Sequence, residues 1–111
     1  MKPFEIYVAL ISWGSGGKHR PVLVISELDG YISVFRITSQ YENKSETVKA
    51  YYFIINDWQN AGLDKQSYID TGEIVDLPKT VFSRSIPIGY LSIEDKKRLI
   101  EFLNNKTNIT K

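Results

Sequence analysis

At 111 residues, with 42% hydrophobic and 13% aromatic side chains, the chain is of a size to close around one core and to bury roughly two thirds of its extended surface. Fourteen Lys and Arg against thirteen Asp and Glu leave a net charge of +1, so a nucleic-acid partner would have to be held by a local patch rather than by overall excess charge. No cysteine and one histidine exclude a disulfide framework, a thiolate metal site and an imidazole cluster, and no apolar run approaches the ~18 residues of a membrane helix. The start, MKPFEIYVALISW, alternates too much for a signal peptide. The expectation is one soluble, cytoplasmic domain over residues 1–111, without membrane contact, whose chemistry uses no metal or cofactor.

Phe4 to Trp13 is apolar on both alternating faces and predicts a buried strand. GSGGKH, from Gly14 to His19, reads as a small flexible loop before a β-branched run from Pro21 to Ser26. Asp29-Gly30 is a hairpin signal leading into YISVFRIT, Tyr31 to Thr38, so the second and third strands are expected to be antiparallel neighbours. SQYENKSET reads as an exposed loop and VKAYYFII, Val48 to Ile55, as a fourth strand. NDWQNAGL predicts one helical turn, capped by Asn56 or Asp57 and ended by Gly62. Ser67 to Ile69, Ile74 to Leu77 and Arg84 to Ile88 read as short strand pieces separated by Asp70-Thr71-Gly72 and Pro78. Ser92 can cap a last helix, with Ile93, Leu99, Ile100, Phe102 and Leu103 on its packed face and fraying expected from about residue 105. These elements together predict a mainly β fold, a small, strongly twisted antiparallel barrel with a C-terminal helix.

Chemistry concentrates at two places. Arg20 precedes Pro21, which forces extended geometry on it and fixes where its guanidinium leaves the strand. Such a group is either a phosphate fork or an ordinary surface ion-pair partner. His19, if also extended, points away from Arg20. The third strand ends in Thr38 and Ser39, whose hydroxyls serve either a phosphate or plain turn chemistry. With the hairpin turn at Asp29-Gly30, Arg20 and Thr38 come out near-opposite, an inference from topology rather than from any motif. Trp58 and Tyr68, both in the 56–68 segment, read as core filling or as a contact for a partner. Lys79 and Arg84 read as groove lining or as solvated charge.

The run GKHRPVLVIS, then ITSQ at the next strand's end, then DLPKT, and finally IGYLSIEDKKRLIEFL, resembles in order the MazF/PemK family of bacterial toxin endoribonucleases. The resemblance implies an SH3-like barrel with a C-terminal helix. It implies a homodimer with an RNA groove at or near the subunit interface, and a cognate antitoxin that blocks it. It also implies metal-independent cleavage of single-stranded RNA by attack of the 2′-hydroxyl, leaving a cyclic phosphate and a 5′-hydroxyl. Arg20 and Thr38 match the family's catalytic pair, and Lys18, His19, Ser39, Gln40 and Lys79 are expected to bind RNA. Some PemK-type relatives place an Arg and an Asp two apart before the equivalent of DLPKT; here those positions are Ile74 and Asp76, so the base is not assigned. The same-fold alternatives are a CcdB-like toxin that binds gyrase, and an inactive barrel that binds RNA or a partner peptide.

Overall fold

The computed structural model of the chain describes residues 1–82 and 86–109. Its elements are strands β1 (Glu5–Trp13), β2 (Gly16–Leu28) and β3 (Tyr31–Thr38), helix α1 (Glu46–Lys49), strands β4 (Tyr52–Ile54) and β5 (Tyr68–Pro78), a 3-10 turn at Lys79–Val81, strand β6 (Gly89–Tyr90) and helix α2 (Ile93–Ile109). Among the described residues the strands form one sheet in the order β4-β5-β3-β2-β1-β6, with every neighbouring pair antiparallel. The sheet curls into a half-barrel with α2 against it, so the expected mainly β architecture with a C-terminal helix is the one observed.

The curl gives the sheet an apolar core on each face, which is why β1 is hydrophobic on both. Ile6, Leu23, Phe35, Ile37, Phe53 and Ile69 share one face with Leu91 and with Leu99 of α2. Tyr7, Ala9, Val22, Val24, Ile32 and Val34 share the other, closed at one end by Leu77, Val81 and Phe82. Burying each Leu, Ile or Val in these layers contributes about 1.5–3 kcal/mol. Two irregularities shape the sheet. Ile25 is an extra residue in β2, between the Val24–Val34 and Ser26–Ser33 pairs. In β5 the four residues 71–74 lie between partners of Val34 and Arg36, facing Phe35 alone. Bulges of this kind bend a strand and increase its twist.

Several local expectations give way to tertiary or capping effects. GSGGKH is a ribbon rather than a flexible loop: β2 begins at Gly16, Lys18 pairs with Ile11, and Gly14, at φ +45°, makes the turn. The fourth strand is cut back to Tyr52–Ile54 because Ser45 caps α1, its Oγ accepting from Val48 N at 3.3 Å, and Val48 stays 40% exposed. The two short pieces around Asp70-Thr71-Gly72 are one strand with the wide bulge. Thr71 ties that bulge to Tyr51, whose carbonyl accepts from both Thr71 N and Thr71 Oγ1. Arg84 lies outside the described residues, and the strand expected to run from it to Ile88 is replaced, where described, by β6 at Gly89–Tyr90.

The 56–63 turn ends as expected at Gly62, with a Schellman pattern in which Leu63 N donates to Trp58 O and Gly62 N to Gln59 O. Its start is capped from elsewhere: the buried Asp95 carboxylate of α2 accepts from Asn56 N at 3.3 Å and Asp57 N at 2.8 Å. Gly62, at φ +87°, and Gly89 sit backbone against backbone, and a Cβ on either would collide with the other segment's main chain. In α2, Ser92 Oγ accepts from Asp95 N at 3.1 Å, as a cap should. The packed row is Asp95, Leu99, Phe102 and Leu103, whereas Ile93 and Ile100 are exposed, because those two lie about a third of a turn off the centre of the row. The helix continues past residue 105 to Ile109, with Lys106 Nζ lying over the Tyr51 ring at 4.9 Å.

Candidate functional site

The bulge at Ile25 decides which residues meet. Counted from the turn, where Leu28 pairs with Tyr31, an uninterrupted register would carry Arg20 opposite Ser39. The extra residue moves the register by one, so that Val22 pairs with Arg36 and the same alignment, extended two residues, sets Arg20 opposite Thr38. Because a one-residue slip turns side chains to the other face, the bulge also puts Arg20 and Thr38 on one face, together with Arg36. The β2–β3 ladder stops at Val22, beside Pro21, which has no amide hydrogen to continue it. On its other side Arg20 pairs with Ala9, whose small side chain leaves room above β1.

Arg20 is half-buried, and its guanidinium has no hydrogen-bond or ion-pair partner among the described residues. Thr38 is half-buried too; its Oγ1 accepts from Gln40 N at 3.0 Å, which leaves the hydroxyl proton free to donate outward. The pair borders a hollow of about 410 Å³ that also draws in Arg36, Gln40, Lys44, Tyr52 and Asp70. Arg36 Nη2 reaches Asp70 Oδ2 at 3.5 Å and Glu73 Oε1 at 3.0 Å, contacts that orient the guanidinium more than they stabilise the fold. Asp70 Oδ1 accepts from Gly72 N at 2.9 Å, so the β5 bulge holds this carboxylate in place. Burial, then the Asp70 charge, push the Tyr52 phenol above its usual range despite Arg36, and it stays protonated at neutral pH. Next to the hollow, Tyr41 stacks on Tyr68 with centroids 4.4 Å apart, Tyr52 lies 6.2 Å from Tyr41, and Lys49 Nζ lies 4.9 Å from the centroid of the Tyr41 ring.

The structure gathers part of the expected set. Lys18 lies on the Arg20 face, one alternation further out along β2, and Gln40 lines the hollow. His19 pairs with Leu10 and belongs to the opposite face, as its alternation with Arg20 predicts. Ser39 also lies off the main hollow and lines a second one. Lys79 does not join them: it follows β5, where its Nζ pairs with Glu27 Oε2 at 3.3 Å, about 23 Å from Arg20 along β2 at ~3.3 Å per residue. Alignment along the sequence could not show that Lys79 belongs to the turn end of the hairpin and Arg20 to the open end. Asp76 likewise pairs with Ser33, whose Oγ donates to it at 2.5 Å, away from the hollow. Trp58 packs on the α2-side core. Among the described residues no cluster of His, Cys, Asp and Glu could hold a metal, and no helix is long and apolar enough to cross a membrane.

No protein-family model and no curated protein matches the sequence. Solved structures match the fold. The Mycobacterium tuberculosis toxin MazF-mt6 aligns over 94% of this chain and 96% of its own, with a TM-score of 0.70 and 21% identity. The chain has a MazF-like fold. A crystal structure of an Mtb toxin aligns over 78% of this chain and 90% of its own, with a TM-score of 0.60 and 22% identity.

Within this MazF-like fold, Arg36, Lys44, Tyr52 and Asp70 line the hollow without having been expected from the sequence. Arg36 was within reach: it shares the parity of Thr38 and Gln40, so all three fall on one face of an extended segment. Tyr52 and Asp70 had no such signal. They enter only through the β3–β5–β4 register, in which Arg36 pairs with Asp70 and Asp70 with Tyr52 across three strands.

Proposed function

We propose that this chain is the toxin of a toxin–antitoxin pair and acts as a metal-independent endoribonuclease on single-stranded RNA. The observation that carries the reading is the Arg20 guanidinium, without a partner among the described residues, held opposite the Thr38 hydroxyl at the edge of a hollow that adds two cations and one carboxylate. A phosphodiester on that pair gains negative charge as its phosphorus becomes five-coordinate. A fixed guanidinium and a hydroxyl donor stabilise that state more than the ground state.

The step needs an acceptor for the 2′-hydroxyl proton. Among the described residues lining the hollow, Asp70 is the one carboxylate, whereas Arg20, Arg36 and Lys44 carry only donors and Tyr52 is a protonated phenol. Asp70 takes the proton, the 2′-oxygen bonds to phosphorus, and the bond to the 5′-oxygen breaks. The departing oxygen takes up a proton from water, and Asp70 returns its own. Lys18, Arg36 and Lys44 draw the backbone in, and the tyrosines offer faces on which unpaired bases stack. The same cationic groove suits the acidic, disordered segment of a cognate antitoxin, which would order on binding. A cytoplasmic homodimer completes this reading, in keeping with the family that the sequence resembles.

The test is cleavage of a long, weakly structured RNA in EDTA by wild type, Arg20→Ala and Thr38→Ala, with end-group analysis. Discrete cuts ending in cyclic phosphate and 5′-hydroxyl, lost in both folded variants, are expected. Intact RNA across many sequences would overturn the enzyme reading and turn attention to gyrase.

A further inference from the structure

Arg36, Asp70 and Tyr52 form one row across β3, β5 and β4, each directly opposite the next. The row lies one alternation along β3 from Thr38, a distance of ~6.6 Å, so it stands beside the place where Arg20 and Thr38 would hold a phosphate. On one side of the Asp70–Tyr52 pair Thr71 N donates to Tyr51 O, and on the other Ile55 N donates to Ser67 O. Hydrogen-bonded pairs alternate along an antiparallel ladder, so Asp70 and Tyr52 are a non-hydrogen-bonded pair, the kind whose side chains stand closer.

The Tyr52 ring is set by its neighbours, tilted against Tyr41 at 6.2 Å and against Tyr68 at 6.5 Å. Its hydroxyl makes no hydrogen bond among the described residues, yet it is not a buried orphan, so it opens on the hollow that Tyr52 lines. It lies near enough to Asp70 and Arg36 for both charges to act on it. Asp70 has capacity left as well: Gly72 N donates to Oδ1, and Oδ2 has only the 3.5 Å contact with Arg36, whose shorter bond goes to Glu73. A phenol donor and a carboxylate acceptor thus stand side by side without bonding to each other. A group that both accepts and donates fits between them. A ribose 2′-hydroxyl is such a group, and it is what distinguishes RNA from DNA at a given site.

We propose that Tyr52 is a further catalytic residue, whose hydroxyl and the Asp70 carboxylate bracket the 2′-hydroxyl of the nucleotide being cut, Tyr52 donating to its oxygen and Asp70 accepting its proton. This rests on the ribonuclease reading, with Asp70 as base. The 2′-proton passes to Asp70 and the 2′-oxygen bonds to phosphorus, while Tyr52 keeps its own proton, held by burial and then by the Asp70 charge above the ordinary phenol range. The Tyr52 bond strengthens as negative charge grows on the 2′-oxygen, so the contact favours the transition state over the bound substrate. A 2′-deoxy nucleotide leaves both side chains unpaired.

The experiment starts by mapping a wild-type cut in a long RNA in EDTA. An oligonucleotide spanning that cut is then made in two forms, all-ribose and with a single 2′-deoxy nucleotide on the 5′ side of the cut. Fluorescence anisotropy measures the binding of both forms to Arg20→Ala, which slows cleavage enough for the measurement, and to the same variant carrying Tyr52→Phe. The phenylalanine keeps the ring, and thermal melts confirm the fold. Tyr52→Phe should weaken binding of the all-ribose form roughly threefold to tenfold, the worth of one neutral hydrogen bond, and leave the 2′-deoxy form as it was. Placed alone in the wild-type chain, it should also lower kcat roughly tenfold. An equal loss of binding for both forms would make the phenol structural, and unchanged binding with unchanged kcat would make it a bystander; either result overturns the proposal and leaves the ribonuclease reading standing. RNA left intact by wild type would overturn that reading itself, and this one with it.

Discussion

Asp95 is the residue on which the 56–67 segment depends. It is 1% exposed and accepts three hydrogen bonds, from Asn56 N, from Asp57 N at 2.8 Å and from Arg98 Nη1 at 2.7 Å. Truncating a buried carboxylate of this kind typically costs about 3–5 kcal/mol when its partner is left buried and unpaired. Here Arg98 is 40% exposed and can rehydrate, so the low end applies, about 3 kcal/mol, arising chiefly from two amides that lose a charged acceptor. At ~4–8 °C per kcal/mol for a chain of this size, Asp95→Ala should lower Tm by roughly 12–24 °C. Asp95→Asn, which keeps the shape and one acceptor oxygen, should cost about half as much. Arg98→Ala should cost about 1 kcal/mol or less, since it removes only a partly exposed partner that also rests on the Phe53 ring. Calorimetry or urea unfolding of the three variants measures this ranking. If Asp95→Ala is within 1 kcal/mol of wild type, or if Arg98→Ala is as damaging, the carboxylate is not what anchors residues 56 and 57.

Arg20→Ala should leave Tm within a few degrees, because the guanidinium has no partner to lose among the described residues, yet reduce kcat by about 10²–10³, the usual cost of one transition-state donor; a large loss of Tm would show that its role is structural. Gly89→Ala should destabilise strongly and broaden NMR signals of both β6 and residues 61–63, since the added methyl meets the Ala61 main chain; a native-like spectrum would contradict the close approach. The N-terminal ammonium, then Lys79, hold the Glu27 carboxyl below its ordinary range, so its contribution is present above about pH 4.5 and fades as pH falls through the lowered folded value. The Tm difference between wild type and Glu27→Gln should accordingly be visible at pH 7 and vanish near pH 2, and a difference that grew on acidification would reverse the assigned sign.

Alternation and turn chemistry made the β2–β3 hairpin legible in the sequence, because Asp29-Gly30 and the runs flanking it are local signals that a chain carries wherever it folds. The Ser92 cap and the Gly62 stop were legible for the same reason. Where a local signal competed with another, the weaker one misled: Ser45 turned the start of an apparent strand into α1, and Asp70-Thr71-Gly72, which reads as a turn, became a bulge once Thr71 found the Tyr51 carbonyl. The juxtaposition of Arg20 and Thr38 was approximately readable from counting, but the bulge at Ile25 settled both the partner and the face. A bulge is decided by how two strands pack, not by one strand's composition.

The remainder of the site lay beyond the reach of the sequence. Asp70 and Tyr52 meet Arg36 only across three strands, Lys79 is carried to the other end of the sheet, and Asp64 and Lys65 line the second hollow with Arg20 and Thr38 because a buried carboxylate 31 residues further along the chain holds their segment in place. The sequence by itself therefore determined the β2–β3 hairpin, the Gly62 stop, the Ser92 cap and the rigid start of Arg20, all of which follow from interactions between near neighbours. The tertiary structure decided register, face and pocket, because those depend on contacts between residues far apart in the chain, which local propensity does not encode.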